Sequence, residues 1–189
     1  LADLTRSSAD NQAEVAREGG VEPLVRLLTE GLVSAEGDAR AEAAGALWSL
    51  SSGEEATKAT VADAGAIQPL VALLGEPPRA GASRGRVRLT AAGALGTLAK
   101  GSPTYQTAVQ EAGGIEPLAA MLGDGSGAGS DGNTPGLVEA HAAQALSHLA
   151  LGHAHNQAAI VATGAIAPLV ALLSPMTPPK LPTRTAAAA

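Results

Sequence analysis

Apolar residues recur along the chain with spacings that are typical of α-helices. The segment VEPLVRLLTEG, residues 21–31, places Leu24, Leu27 and Leu28 at positions i, i+3 and i+4. A longer segment, residues 38–53, carries one apolar stripe with small residues beside it. The pattern therefore predicts an all-α protein with essentially no β-strand. We expect the longest helices at 38–51, 86–100 and 137–151.

Both patterns repeat. The heptapeptides GGVEPLV, GAIQPLV, GGIEPLA and GAIAPLV have prolines that are 46, 48 and 51 residues apart. Between them lie AAGALWSLSSG, AAGALGTLAKG and AAQALSHLALG. Because a lone helical unit of this kind cannot bury its apolar faces, the repetition predicts a stack of similar units.

Each unit contains three helical signals. A short helix comes first, with Asp10 as the expected N-cap of the first one and Ser102, followed by Pro103, as that of the third. A glycine at its end, as in Gly19–Gly20, allows the chain to turn in the left-handed region. The second helix has its proline in the first turn, where a missing N–H costs little, and the third is the longest.

These residues resemble the armadillo repeat. The resemblance rests on a short helix, a Gly-Gly or Gly-Ala corner, an I-x-P-L-V-x-L-L helix and a long A-A-x-A-L-x-x-L helix, and it covers nearly all of residues 1–174. It implies a right-handed superhelical solenoid of armadillo repeats. HEAT repeats, the nearest alternative, usually have two helices and lack this corner.

The repeats divide the chain into six parts. We expect residues 1–9 to end a preceding repeat and 10–53 to form a full one. The next two repeats are 54–101, with an Arg-rich insert at 76–86, and 102–152, with a Gly-rich insert at 123–136. Residues 153–174 then supply two helices of a further repeat, and 175–189 form a Pro/Ala-rich tail that could start its third helix.

Composition restricts the function. The chain has no cysteine, which excludes disulfides and thiolate metal sites, and no apolar run near the ~20 residues that a membrane span needs. A net charge of −6 argues against binding to nucleic acid. No nucleophile with a supporting base is recognisable, so we expect neither an enzyme nor a cofactor. With no apolar stretch in residues 1–12, we expect a cytoplasmic protein, with cytoskeleton or cilium as alternatives and the nucleus left open.

The resemblance also implies where a partner binds. In armadillo proteins the third helices line a concave face, where a ladder of asparagines holds an extended peptide. The equivalent positions here are Asp3, Ser49, Thr97 and His148. Where importin-α-like import adaptors carry tryptophan, this chain has Gly45, Gly93 and Gln144. The pattern therefore favours an adaptor-like armadillo protein over an import receptor.

Other residues suggest what the partner is. Arg40 and Arg88 occupy equivalent positions near that face, and Glu139 breaks the row, which suggests an acidic ligand toward the first two repeats. Three basic residues of the first insert are interpreted as a solvated loop, with a second site for an acidic partner as the alternative: Arg79, Arg84 and Arg86.

Two further interpretations concern single side chains. Trp48, the only tryptophan, is interpreted as packing against the next repeat, with an exposed anchor for a partner as the alternative. The histidines between positions 141 and 155 are expected to have surface or capping roles, and no metal site is predicted.

The sequence thus predicts a non-catalytic protein–protein interaction scaffold. The alternative is a permanent structural subunit of a large cytoskeletal or ciliary assembly, in which the partners are neighbouring subunits. A nuclear import adaptor is less favoured.

Overall fold

The computed structural model describes residues 8–30, 39–75, 84–123 and 136–173. Within these ranges the protein is helical and contains no β-strand, as predicted. The helices are α1 (Ala9–Arg17), α2 (Val21–Glu30), α3 (Ala39–Ser51), α4 (Glu55–Asp63), α5 (Ile67–Gly75), α6 (Arg84–Ala99), α7 (Pro103–Glu111), α8 (Ile115–Ala120), α9 (Leu137–Ala150), α10 (Ala154–Ala162) and α11 (Ile166–Leu173).

The helices form a one-dimensional stack. Three units of three helices, α1–α3, α4–α6 and α7–α9, are followed by the pair α10–α11. The long third helices α3, α6 and α9 pack in series, and each also packs on the second helix of its own unit. Their ends lie within two residues of the predicted bounds. The expected all-α solenoid is confirmed.

Each first helix turns into the second through a glycine corner. At the first corner the N–H of Gly20 donates to Val15 O at 2.9 Å and that of Gly19 to Ala16 O at 3.2 Å. This pair of bonds requires a left-handed residue, and Gly19 has φ of +75°. Glycines at the three equivalent corners have φ of +77°. The repeated Gly in the sequence therefore fixes the angle between first and second helices.

The N-caps of the first helices differ partly from expectation. Ser8, not Asp10, caps α1, since its hydroxyl accepts from Asn11 N and Asp10 lies inside the first turn. Ser102 caps α7 with Pro103 at the first helical position, as predicted. His153 caps α10 through Nδ1, which accepts from Asn156 N.

The core lies between second and third helices. The leucine pairs of the A-L-x-x-L pattern are at most 2% exposed: Leu47, Leu50, Leu95, Leu98, Leu146 and Leu149. Small residues surround them, and Ala44, Ala91 and Ala92 are wholly buried. The core is therefore aliphatic and thin, as expected from a sequence without phenylalanine.

Side chains from the first helices cap the C-terminal ends of the third helices. Lys58 Nζ donates to Lys100 O at the end of α6, at 3.2 Å. At the equivalent position of the next unit, Gln106 Nε2 donates to His148 O at 2.7 Å and Leu151 O at 3.1 Å. Because the last carbonyls of a helix lack intrahelical partners, these bonds tie the first and third helices of a unit together.

No single described helix is long and apolar enough to cross a membrane, and α10 and α11 meet such criteria only as a pair bent by 87°.

Gln106→Ala tests the helix-end bonds. Gln106 is 2% exposed and makes two partly buried hydrogen bonds to helix-end carbonyls, so their loss should destabilise the protein by ~1–3 kcal/mol in urea unfolding. Gln157→Ala is the matched control: Gln157 occupies the equivalent position and bonds Ala150 O, but is exposed. Its cost should stay within about 0.5 kcal/mol. Equal effects of the two changes would contradict the capping role.

Candidate protein-binding groove

A groove of about 470 Å³ crosses the third helices α3, α6 and α9 near their C-terminal ends. The residues that line it come from these helices, from the turns that follow α3 and α6, and from α4. The side chains that matter for binding are Trp48, Lys58, Thr97, Lys100, His141, Gln144 and His148. Groove residues are thus supplied by three successive units.

Trp48 connects all three third helices. A Cβ built on Gly93 would lie 2.6–2.8 Å from the indole atoms Cδ2, Cε2 and Cε3, so the ring lies directly over the backbone of α6. Its edge contacts His141 of α9, with ring centroids 4.9 Å apart and planes at 83°. Packing against neighbouring repeats, the first interpretation of Trp48, agrees with this geometry. The indole also remains partly exposed in the groove.

His148 is held by a neighbouring helix. Its Nδ1 lies 2.8 Å from Gly96 O of α6. A carbonyl only accepts, so Nδ1 must carry the proton and, in the neutral ring, Nε2 has a free lone pair. His141 is fixed in the same way by Leu137 O at 2.8 Å. Both neutral imidazoles therefore keep Nε2 as a hydrogen-bond acceptor.

The hydroxyl groups of the groove donate hydrogen bonds to carbonyl oxygens of their own helices. Thr97 Oγ1 donates to Gly93 O at 2.8 Å, and Ser51 and Ser52 donate to Leu47 O and Trp48 O. Each oxygen keeps lone pairs to accept another bond. Gln144, which is exposed, adds an amide that both donates and accepts. The groove therefore offers acceptors to the N–H groups of a peptide backbone and, at Gln144, one amide that can also donate to its carbonyls.

The charge of the groove is positive at one end. Lys58 and Lys100 both line it, and none of the described lining residues is Asp or Glu. Lys58 is the more restricted, since it pairs with Glu55 at 2.9 Å and is 12% exposed, whereas the Lys100 side chain is exposed. Acidic groups lie at both ends of α4: burial, and then the Asp63 and Glu55 carboxylates, raise the pKa of Tyr105.

The predicted row of Ser49, Thr97 and His148 is only partly assembled. Thr97 and His148 line the groove together. Ser49 does not, and its Oγ is buried without a hydrogen-bond partner among the described residues. Asp3 lies outside the described ranges.

Arg40 and Arg88 differ from the expectation of accessible side chains at the edge of the face. They are 6% and 3% exposed, and Glu139 at the equivalent position of α9 is 8% exposed. All three lie within the first five residues of third helices, which the stacked units cover. Little of either guanidinium is accessible to a ligand, so the accessible positive charge of the face lies instead at Lys100, with the Lys58–Glu55 pair beside it.

The Arg-rich segment is only partly described. Arg79 lies outside the described ranges, and Arg84 is described only as the first residue of α6. Arg86 is exposed and forms an ion pair with Glu42 of α3. Its charge therefore contributes to the contact between successive third helices.

Sequence reasoning missed Lys58, Lys100 and Gln144 as groove residues. Lys58 follows the start of a first helix and Lys100 ends a third helix, so neither lies on the third-helix stripe that indicated the face. Gln144 had been recognised only as a departure from a tryptophan position. Among the described residues no three His, Cys, Asp or Glu side chains form a metal-binding group.

This geometry defines a class of protein. It is a solenoid of stacked three-helix repeats with a polar groove across its third helices. Residues 8–52 match the sequence profile of the armadillo/beta-catenin-like repeat. The fold is that of an armadillo-repeat solenoid.

Several solved structures with the same fold are designed or engineered proteins. One engineered protein is 30% identical with a TM-score of 0.75, and the match covers 91% of this chain and 63% of the other. A designed armadillo repeat protein in complex with the peptide (KR)4 is 26% identical with a TM-score of 0.76, covering 94% and 66%. Another designed armadillo repeat protein is 25% identical with a TM-score of 0.75, covering 92% and 65%.

The chain therefore spans less than two thirds of the length of these structures. Comparison with curated protein sequences gave no match.

Gly93→Ala tests the position of the indole. The new Cβ would collide with the Trp48 ring, so we expect the ring to move, Trp48 fluorescence to shift and stability to fall by ~1–3 kcal/mol. Gly45→Ala is the matched control, because Gly45 is the equivalent residue of α3 and its Cβ would meet only Thr90 Cγ2 at 3.6 Å. That change should stabilise the helix by up to about 1 kcal/mol. If Gly93→Ala also stabilises, the indole does not lie on α6.

Proposed function

We propose that this protein is a non-catalytic scaffold that binds an extended segment of a partner protein in the groove across α3, α6 and α9. The observation that carries the proposal is the set of polar groups in the groove that retain hydrogen-bonding capacity: Thr97 Oγ1, the Gln144 amide and His148 Nε2.

The spacing of the helices supports an extended ligand. Packed helices lie about 8–10 Å apart, and an extended peptide advances ~3.3 Å per residue. Each third helix would then meet about three residues of the ligand. Because Thr97, Gln144 and His148 belong to two successive third helices, they meet neighbouring parts of one bound segment.

We further propose that the bound segment is acidic. Lys100 is exposed in the groove, and Lys58 lies beside it on α4. The described lining residues offer no carboxylate to hold a basic ligand. The designed relative in complex with (KR)4 carries a basic peptide, so the proposed preference is opposite to that ligand.

We propose as a second candidate function that the protein is a permanent structural subunit of a larger assembly, and a separate observation favours it. Large apolar side chains at the end of the stack are exposed: Val161, Ile166, Val170, Leu172 and Leu173. Such a surface is typical of a subunit that is permanently built into an assembly. A stable 1:1 complex that survives high salt would favour this function over reversible groove binding, which depends on charge.

Lys100→Glu tests the groove and its charge. The probes are (KR)4 and an octapeptide of alternating glycine and glutamate, and Trp48 fluorescence reports binding. We expect the acidic peptide to bind better and to weaken with salt. Lys100→Glu should weaken it by about tenfold, since reversing an exposed charge changes the interaction by ~1–2 kcal/mol.

Arg26→Glu is the control for net charge, because Arg26 is exposed on α2 and does not line the groove. It should leave the affinity nearly unchanged. Stronger binding of (KR)4, or equal effects of the two substitutions, would contradict an acidic ligand in this groove.

A further inference from the structure

Two histidines of α9 line the groove and are bonded to the protein through the same ring nitrogen. Nδ1 of His141 donates to Leu137 O, and Nδ1 of His148 donates to Gly96 O, both at 2.8 Å. Within the described residues, Nε2 of neither ring has a hydrogen-bond partner. Both side chains are partly exposed. We call His141 and His148 the groove histidines.

This arrangement lets the groove histidines gain a proton without moving. A neutral ring bonded in this way carries its proton on Nδ1, so a second proton enters at Nε2 and the bond to the carbonyl stays intact. His153 is different, because its Nδ1 accepts from Asn156 N and its Nε2 lies 3.0 Å from Thr107 Oγ1. A second proton there would break the helix cap. The groove histidines can therefore change charge while the described hydrogen bonds to their rings are kept.

The lysine end of the groove is adjacent to His148. Gly96 O, which accepts from His148 Nδ1, also accepts from the backbone N–H of Lys100 at 3.1 Å. The carbonyl of Lys100 in turn accepts from Nζ of Lys58, whose charge is paired with Glu55. Protonation of His148 would therefore add positive charge beside Lys100. A carboxylate of a bound ligand supplies the negative charge that stabilises such a cluster.

The charge of the groove depends on pH through the groove histidines, because histidine is the side chain whose ordinary titration falls between about pH 5 and 8. The other ionisable residues that line the groove are Lys58 and Lys100. Further ionisable groups lie on α9 and on the described elements around it, and none of them lines the groove. They are the Arg86–Glu42 pair of α6 and α3, Arg88 of α6, Glu139 of α9, Tyr105 and Glu111 of α7, Glu116 of α8, and His153 and His155 at the start of α10.

We propose that an acidic segment bound in the groove takes up protons at the groove histidines, so that its affinity rises as the pH falls below neutral. The inference rests on the proposed function, because it requires an acidic segment in this groove. A protonated ring carries a donor at Nε2 and a positive charge, and both stabilise a carboxylate of the ligand. Binding and protonation then favour each other to the same degree, as linkage requires.

The two protonation states select different ligands. When the rings are neutral, Nε2 accepts from the N–H groups of a peptide backbone. When they are charged, Nε2 donates to carboxylates. Acidification should therefore strengthen the binding of an acidic segment and give no gain to a neutral one. The gain ends where the carboxylates of the ligand take up protons themselves, near the ordinary glutamate pKa of about 4.3.

Calorimetric titration tests the proposal with two octapeptides, one of alternating glycine and glutamate and one of alternating glycine and glutamine. The acidic peptide should bind about five- to tenfold more tightly at about pH 5.5 than at about pH 7.5, because one added charge beside a carboxylate changes an interaction to that degree. The neutral peptide should gain nothing. Titrations at about pH 6.5 in two buffers of different ionisation enthalpy should show net proton uptake per bound acidic peptide.

His141→Gln plus His148→Gln removes the titrating groups, since glutamine keeps a donor and an acceptor but does not ionise. In this double variant the gain on acidification and the proton uptake should fall nearly to zero. His155→Gln is the matched control, because His155 is exposed on α10 and does not line the groove. It should keep both effects. Circular dichroism at both pH values checks that helicity is unchanged.

The outcomes separate this inference from the proposed function. If Lys100→Glu weakens the acidic peptide but its affinity does not change with pH, or no proton is taken up, the proposed function stands and the inference is wrong. Proton uptake that persists in the double variant, or an equal gain for the neutral peptide, would also overturn it. If the double variant does not fold, proton uptake by the unmodified protein with each peptide still decides. No binding of the acidic peptide at either pH would overturn both.

Discussion

The close approach of the third helices is the constraint on which the rest of this structure depends. A Cβ on Gly96 of α6 would lie 3.0 Å from Ala145 Cα and 3.1 Å from its Cβ, so the two helices are nearly in backbone contact there. At this distance the Gly96 carbonyl reaches His148. The thin core of Leu47, Leu95 and Leu146 closes only because the residues beside the leucines are small. Side chains of ordinary size at these positions would separate the units and open the core.

The groove follows from the same approach. Gly93 leaves room for the Trp48 ring to lie over α6 and reach His141, so three units share one surface. Threonine and serine hydroxyls donate to their own helices, while histidine Nδ1 atoms donate to nearby carbonyls. The groups that remain available to a ligand are a row of hydrogen-bond acceptors, the exposed Gln144 amide and, at one end of the groove, Lys100 with Lys58 beside it. Stacking therefore determines both the stability of the units and the chemistry that they present.

Features set by local sequence were predictable, and features set by contacts between units were not. Helical periodicity located the third helices, and glycine located the corners, because each depends on a few neighbouring residues. The burial of Arg40 and Arg88 depends on how the N-terminal parts of third helices are covered, which a pattern within one repeat does not contain. The same holds for Lys58, whose role depends on a carbonyl 42 residues away. Trp48 was predicted to pack on the next repeat, but its reach to α9 requires Gly93.

The stability of the Gly96→Ala variant is the most direct test of the close approach between third helices. Alanine is favoured over glycine within a helix by up to about 1 kcal/mol, so without a close neighbour this change would stabilise the protein. Here the Cβ meets backbone atoms of Ala145, which cannot move aside as a flexible side chain would. We expect the free energy of unfolding, measured in urea, to fall by ~1–3 kcal/mol and the Nδ1 signal of His148 to shift in NMR spectra. Unchanged or increased stability, with His148 unaffected, would show that the third helices are not in close contact.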